Sequence, residues 1–213
     1  MRTLVQYFVI LAVMSVSVFS KAQDQAMYNN YIANQGILNP AYNGTRDFIS
    51  GLLVFRSQWT GFKGAPYTGA LNVHSPINAV KNLGAGIVIA EDHLGFTNQL
   101  EVFAAGSYRL KIDNSNTLAL GLQVGFKNIV YDASKAMVVD YGDPLFEDKV
   151  STFGFNFGFG GYLYSKNYFA GLSIPRFFTT KYNSDKQKIK NAVSMRDLHI
   201  YAYGGYIFEI NDI

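Results

Sequence analysis

Side chains that could carry out chemistry are few in this 213-residue sequence, and they are widely spaced. The three histidines are His74, His93 and His199, and no two of them stand four residues apart as paired metal ligands on a helix do. The chain has no cysteine, which excludes thiol catalysis, disulfides and cysteine-bound metals. No serine lies in a Gly-x-Ser-x-Gly turn, the usual setting of a hydrolase nucleophile. The sequence therefore predicts no enzyme, no cofactor and no metal site.

Two further patterns resemble binding loops at first sight. The acidic stretch Asp140–Asp148 could bind calcium weakly, but it lacks the spacing of a known calcium loop, and we interpret it as solvated surface. The glycine-rich runs Gly84–Gly86 and Gly158–Gly161 lie inside β-type segments, whereas a phosphate loop joins a strand to a helix. These glycines are typical of close backbone packing.

The N-terminus has the pattern of a secretory signal. Arg2 supplies the positive charge, Leu4–Phe19 is apolar, and Ser20-Lys21-Ala22 is a small-x-small cleavage site before Gln23. A membrane anchor is the alternative, but this apolar run is short for a span, and no basic cluster follows it. We predict that residues 1–22 are a signal peptide.

The charge of the exported chain is close to neutral. Without Arg2 and Lys21, the 18 basic residues become 16 against 15 acidic ones. There is no basic stripe, so nucleic-acid binding is not expected. No later window contains the roughly 18 apolar residues that a membrane helix requires.

From residue 45 onwards the dominant hydrophobic period is two, which predicts β-strands. In Thr117–Lys127 one face carries large apolar residues, and the other carries Ala119, Gly121, Gln123, Gly125 and Lys127. In Thr152–Tyr164, phenylalanines alternate in the same way with glycine and asparagine. The predicted strands lie near residues 47–58, 66–75, 82–92, 97–111, 116–130, 152–165, 167–175 and 197–210. The stretches 23–46, 131–151 and 176–196 are predicted to be irregular, the last as a basic, solvated loop and a candidate contact surface.

These strands suit a membrane-spanning β-barrel better than a soluble β-sandwich, which alternates as well. Several are longer than the five or six residues usual in globular proteins. On the faces opposite the large apolar residues, the side chains are small or polar but seldom charged, as they can be in a barrel lumen. Aromatic residues reach 15% and gather near strand ends, as in the girdles at a membrane interface. The predicted fold is an all-β, antiparallel barrel of the outer membrane.

The segment from Asn39 to Pro76 is the most distinctive part of the sequence. It contains three of the five prolines and the only tryptophan. Its motif residues are Asn39, Pro40, Ala41, Tyr42, Gly44, Arg56, Gln58, Trp59, Gly61, Phe62, Gly64, Ala65, Pro66, His74 and Pro76. On these motifs, and on Ala170–Pro175 at a later strand end, the chain resembles the PorP/SprF family of the type IX secretion system of Bacteroidota.

The resemblance implies a non-enzymatic outer-membrane barrel that serves type IX export. Its expected partners are other components of that system, an exported adhesin or cargo protein, and membrane lipid. Some members support secretion in general, whereas others support the export or surface attachment of one adhesin and hence gliding motility. Two alternatives stay open at this point: a passive channel or transporter for small solutes or lipids, and a soluble secreted β-domain.

The motif residues could be structural or could contact a partner. Trp59 and Phe62 could touch an exported protein, but we interpret Trp59 first as a membrane-interface anchor beside a turn shaped by glycine and proline. Arg56 could pair with a carboxylate in the lumen, and His74 is expected to form hydrogen bonds at a strand end.

The domain organisation follows from these assignments. After the signal peptide we predict an irregular N-terminal segment, 23–46, and a barrel domain, 47–213, that is truncated at its C-terminus. The last residues lack the terminal aromatic of a closing strand, and members of the family run on for several strands. A complete barrel of about eight strands is the alternative.

Overall fold

The structure is a computed structural model that describes residues 34–62, 64–132, 149–183, 188–192 and 198–208. These residues form an antiparallel sheet of eight strands in the order β1 to β7 and then β10, and a separate hairpin of β8 and β9. The strands are β1 Ser50–Ser57, β2 Tyr67–Pro76, β3 Leu83–Leu94, β4 Thr97–Lys111, β5 Thr117–Asp132, β6 Lys149–Tyr164, β7 Tyr168–Ile174, β8 Thr179–Asn183, β9 Lys188–Ala192 and β10 Tyr201–Tyr206. Helical structure within the described ranges is one turn, α1 (Gln35–Leu38), and a 3₁₀ turn at Pro40–Tyr42.

All eight strands predicted from the alternation are present, each within a few residues of its expected bounds. The prediction of a solvated loop over 176–196 is wrong at two points. Arg176 is buried, and the following residues form the β8–β9 hairpin, with Thr179 paired to Ala192. The predicted signal peptide and the acidic stretch Asp140–Asp148 lie outside the described residues.

The sheet is an open half-barrel, as expected of an incomplete barrel. Each strand pairs with its neighbours in a continuous register, from Ser50 opposite His74 in β1–β2 to Tyr206 opposite Tyr168 in β10–β7. In the part of the chain that the structure describes, β1 and β10 do not pair with each other, so the sheet is not the closed eight-stranded barrel that was the alternative.

The two faces of the sheet differ as the alternation predicts. On the convex face, large apolar side chains are exposed, including Leu53 (72%), Leu122 (67%) and Phe155 (69%). On the concave face, a small core of Ala70, Val88, Ala90 and Phe103 packs against Ile37 of α1. The N-terminal segment thus supplies part of the core of the sheet.

The connections at the two ends of the sheet differ in length. The connections at one end span residues 77–82, 112–116 and 165–167, and β1 also begins at this end. The connections at the other end span residues 58–66, 95–96, 133–148 and 175–200, and the last two are much longer than any connection at the first end. We call these the short-turn end and the long-loop end.

No helix among the described residues is long and apolar enough to cross a membrane.

Candidate functional site at the concave face and the first turn

The concave face of the sheet is covered by residues 34–44, which we call the inner strap. Glycines in three strands let the strap approach the sheet backbone closely. A Cβ atom at Gly121 would overlap the backbone of Ala41, and one at Gly84 would lie 2.6 Å from the carbonyl oxygen of Asn43. These contacts explain why the inward face of the sheet is rich in glycine.

From Ile37, which packs against β2, β3 and β4, the strap runs to the β6–β7 side of the sheet, where Asn39 fixes it. Its side-chain Nδ2 donates to the carbonyl of Gly161 at 3.0 Å, and its Oδ1 accepts from the backbone N–H of Ala41 at 3.0 Å. The second bond caps the 3₁₀ turn, in which Pro40 holds the first position without needing a donor. The Ser173 hydroxyl adds a bond to the carbonyl of Leu38 at 2.7 Å.

The strap leaves the concave face near β2, β3 and β4, where Asn43 is fully buried. Asn72 Nδ2 donates to Asn43 Oδ1 at 3.1 Å, and the Ser107 hydroxyl donates to the Asn43 carbonyl. The backbone N–H of Gly44 donates to His74 Nδ1 at 3.1 Å. Because Nδ1 accepts a bond here, the neutral ring carries its proton on Nε2. His74 is therefore the hydrogen-bonding strand-end residue that the sequence predicted.

A buried ion cluster lies on the same face, nearer the long-loop end. Glu101 in β4 is 2% exposed and accepts hydrogen bonds from Arg176, one of them from Nε at 2.8 Å. Lys127 Nζ lies 3.7 Å from the other carboxylate oxygen, to which Gln99 also donates at 3.0 Å. The Arg176 guanidinium lies over the ring of Phe103, 5.7 Å from its centroid. The burial of Glu101 and Arg176 is tolerated because each charge has a partner of opposite charge.

Arg176 belongs to a second crossing segment, Pro175–Phe178, which we call the outer strap. Gln123 Nε2 donates to the Pro175 carbonyl at 2.7 Å. The side chain of Asn156 accepts from the N–H groups of Phe177 and Phe178 at 2.9 and 3.0 Å and donates to the Phe178 carbonyl at 2.7 Å. The inner and outer straps together cover much of the concave face with bonded backbone.

The turn between β1 and β2 holds the rest of the family motif. The N–H of Gln58 donates to the Pro66 carbonyl at 2.9 Å and closes the turn. Gly61 (φ +107°) and Gly64 (φ +82°) take left-handed conformations, and so does Trp59 (φ +51°), where a bulky residue costs about 1–3 kcal/mol. The Trp59 side chain is 72% exposed and that of Phe62 is 77% exposed. A cavity of about 550 Å³ opens between this turn and the β3–β4 turn.

The structure divides the predicted motif residues into two groups. Asn39 to Gly44 cross the concave face, and Gly44 bonds His74, with Pro76 at the end of the same strand as His74. The residues from Gln58 to Pro66 form the β1–β2 turn at the long-loop end. Arg56 is half-buried in β1, and the register places it in one row with Thr68 and the carboxylate of Asp92.

Sequence reasoning missed the residues that hold the outer strap, namely Glu101, Arg176, Gln123 and Asn156. Glu101 was visible as the one carboxylate in the inward row that also carries Phe103, Ala105 and Ser107. A carboxylate beside inward apolar residues indicates a buried partner, but the partner, 75 residues away, could not be named from the sequence.

The described residues contain no group of three or more side chains that could hold a metal ion. What the arrangement offers is a covered inner face, an apolar outer face and exposed aromatic side chains at one rim.

An antiparallel half-barrel with an apolar convex face and a small, polar concave face defines the class of membrane β-barrel proteins. A comparison with known protein families matches residues 20–213 to the type IX secretion system membrane protein PorP/SprF. The chain belongs to this family, and the resemblance drawn from the motifs is confirmed. Comparisons with curated proteins and with solved structures gave no match. A soluble secreted domain does not fit a family of membrane proteins.

Proposed function

We propose that the protein is a non-enzymatic outer-membrane component of the type IX secretion system that supports the export or surface attachment of secreted proteins. It acts through contacts with other components of the system and with an exported adhesin or cargo protein. In this role the sheet is held in lipid by its convex face, and the partner contacts are made at its ends.

The covered concave face is the observation that carries this proposal. A passive channel needs an open lumen, whereas here the inner strap packs against β4, β5 and β6 closely enough to exclude a Cβ atom at Gly121 and Gly160. The outer strap adds the buried pair of Glu101 and Arg176 across the same face. A sheet filled in this way favours a scaffold for protein contacts over a pore for solutes.

Placement in the outer membrane rests on two observations. The convex face carries a band of exposed apolar side chains, such as Leu120, Leu122 and Val124 of β5. The N-terminal sequence has the features of an export signal, which a barrel needs to reach that membrane.

Deletion of the gene, with complementation by the wild-type chain, tests the proposal. We expect the deletion strain to lose surface-displayed or secreted type IX cargo and, if the cargo is a motility adhesin, gliding. Cargo is quantified by surface biotinylation and by mass spectrometry of the medium. Uptake of small fluorescent solutes is measured in parallel. Unchanged cargo together with reduced solute uptake would contradict the proposal and support the channel.

A further inference from the structure

Four apolar side chains at the long-loop end form a concave surface that the covered lumen does not explain. Trp59 and Phe62 come from the β1–β2 turn, Leu94 is the last residue of β3, and Phe96 lies in the β3–β4 turn. Together with Gly64, Ala65, Pro66 and Gly95 they line the cavity of about 550 Å³, and we call this surface the aromatic cradle. None of the lining residues that the structure describes is charged.

Polar side chains on the convex face mark where the apolar band ends on this side. Glu91, which alternates with the exposed Ile87 and Ile89, accepts a hydrogen bond from Asn98 at 3.3 Å. In the next two strands, Ser151 donates to Asn128 at 3.1 Å. The register connects these positions, with Leu100 opposite both Glu91 and Asn128. A carboxylate facing hydrocarbon is costly, so the band ends near this row.

The band below that row has the height of a membrane core. Along β4, the convex-face positions from Leu100 to Leu110 carry no charge. Ten residues at about 3.3 Å each, tilted by about 40°, span roughly 25 Å, which is the height of the apolar band of outer-membrane barrels. Leu94 lies three residues beyond Glu91, about 10 Å further along the strand. The aromatic cradle is therefore outside the hydrocarbon.

We infer that the aromatic cradle is a docking site for apolar side chains of an extended segment of another protein at the cell surface. Long loops of outer-membrane barrels face outward, which places this end on the outside. A cavity of a few hundred cubic ångströms with an apolar lining accepts one or two aliphatic or aromatic side chains. Lipid chains are the other apolar occupant, and the polar row at Glu91 separates them from the cradle. This inference rests on the proposed function, because that function requires a protein partner at the surface.

The conformation of the turn supports a binding role. Trp59 is held with a left-handed backbone and still exposes its indole, so the strain is not offset by burial of the side chain. Two backbone hydrogen bonds of 3.2 Å hold the turn in this conformation, with both rings exposed. Phe62 N–H donates to the Trp59 carbonyl, and Ala65 N–H donates to the Phe62 carbonyl. Aromatic side chains are enriched among the anchor residues of protein interfaces.

The position of Trp59 can be measured directly, since it is the only tryptophan in the chain. The protein is reconstituted into phosphatidylcholine vesicles with and without brominated acyl chains. We expect aqueous acrylamide to quench the tryptophan emission and the brominated chains to leave it unchanged. Strong quenching by the brominated chains would place Trp59 in the hydrocarbon as an anchor and overturn the inference.

Binding is tested with two end-capped tripeptides, acetyl-Leu-Phe-Leu-amide and acetyl-Ser-Gly-Ser-amide. We expect the apolar peptide alone to shift the Trp59 emission to shorter wavelength, and Phe62→Ala to weaken its binding at least about tenfold. The matched control is Leu122→Ala, which removes an exposed apolar side chain from the convex face and should leave binding unchanged. Equal binding by the Phe62→Ala variant would overturn the inference.

A cellular arm separates this inference from the proposed function. The deletion strain is complemented with a Trp59→Ala, Phe62→Ala double variant whose folding is checked by heat-modifiable gel mobility. We expect cargo display to fall to the level of the deletion strain. If the deletion abolishes display and the double variant restores it fully, the docking site is wrong and the function stands. If the deletion leaves cargo display unchanged, the proposed function is wrong. The tripeptide binding and the brominated-lipid quenching then show by themselves whether the docking site exists.

Discussion

At the scale of single residues, the concave face is defined by how closely two backbones approach. Gly121, Gly160 and Gly84 each face a different part of the inner strap, near Ala41, Asn39 and Asn43 respectively. Any side chain at these positions must displace either the strap or the sheet. The motif Asn-Pro-Ala-Tyr-Asn-Gly thus packs directly against the glycines of distant strands.

Substitution Gly121→Ala tests this contact. The new Cβ would overlap backbone atoms of Pro40 and Ala41, and we expect the free energy of unfolding to fall by about 1–3 kcal/mol. The measurement is urea unfolding of the protein in lipid vesicles, followed by heat-modifiable gel mobility. Gly106→Ala is the matched control, because nothing lies within 4 Å of its Cβ position. Equal stability of the two variants would mean that the inner strap does not pack as described.

The ion cluster predicts an order of effects. Glu101→Leu removes the carboxylate that Arg176 and Lys127 both contact, and we expect the free energy of unfolding to fall by about 3–5 kcal/mol. Arg176→Met should cost less, since Glu101 keeps Lys127 as a partner. Urea unfolding of both variants checks the order, and equal losses would argue against a shared cluster.

At the scale of elements, the strands were predictable and the straps were not. Alternation is a local pattern, so β5 and β6 could be assigned from Thr117–Lys127 and Thr152–Tyr164 alone. The inner strap is held by partners far along the chain, such as Gly161 for Asn39, 122 residues away. Its place on the concave face was therefore invisible to local patterns. The β8–β9 hairpin was missed because its basic composition is typical of a solvated loop.

The β4–β5 turn shows how one short connection is fixed. The side-chain amide of Asn116 and the backbone N–H groups of Ser115 and Asn116 lower the pKa of the Asp113 carboxyl below its ordinary value. These bonds stabilise the turn fully above the ordinary pKa of aspartate, about 4, and are lost as the pH falls through the lower folded-state value. This turn should therefore loosen only in acid.

An NMR titration of Asp113 in detergent micelles checks the shift. We expect Asn116→Ala to raise the pKa of Asp113 towards its ordinary value, because it removes the side-chain donor at 2.8 Å. Asn114→Ala is the control, since Asn114 is not among the donors to this carboxylate. An ordinary pKa in the wild-type protein would contradict the described turn.

At the scale of the whole molecule, the two ends of the sheet have different roles. The short-turn end has compact connections such as Asp113–Asn116 and the start of β1. The long-loop end has the aromatic cradle and the connection that contains the outer strap and the β8–β9 hairpin. Short periplasmic turns and long outer loops are the usual arrangement in outer-membrane barrels. The proposed protein contacts and the proposed orientation therefore depend on the same asymmetry.

Cysteine labelling in intact cells tests most directly whether the sheet spans the outer membrane with its long-loop end outward. The chain has no cysteine, so each added thiol is the only one. Thr60→Cys places a thiol in the exposed β1–β2 turn, and Ser115→Cys places one in the exposed β4–β5 turn at the opposite end. With a membrane-impermeant maleimide, we expect Thr60→Cys to react in intact cells and Ser115→Cys to react only after the outer membrane is permeabilised. Labelling of Ser115→Cys alone, or equal labelling of both in intact cells, would contradict the account.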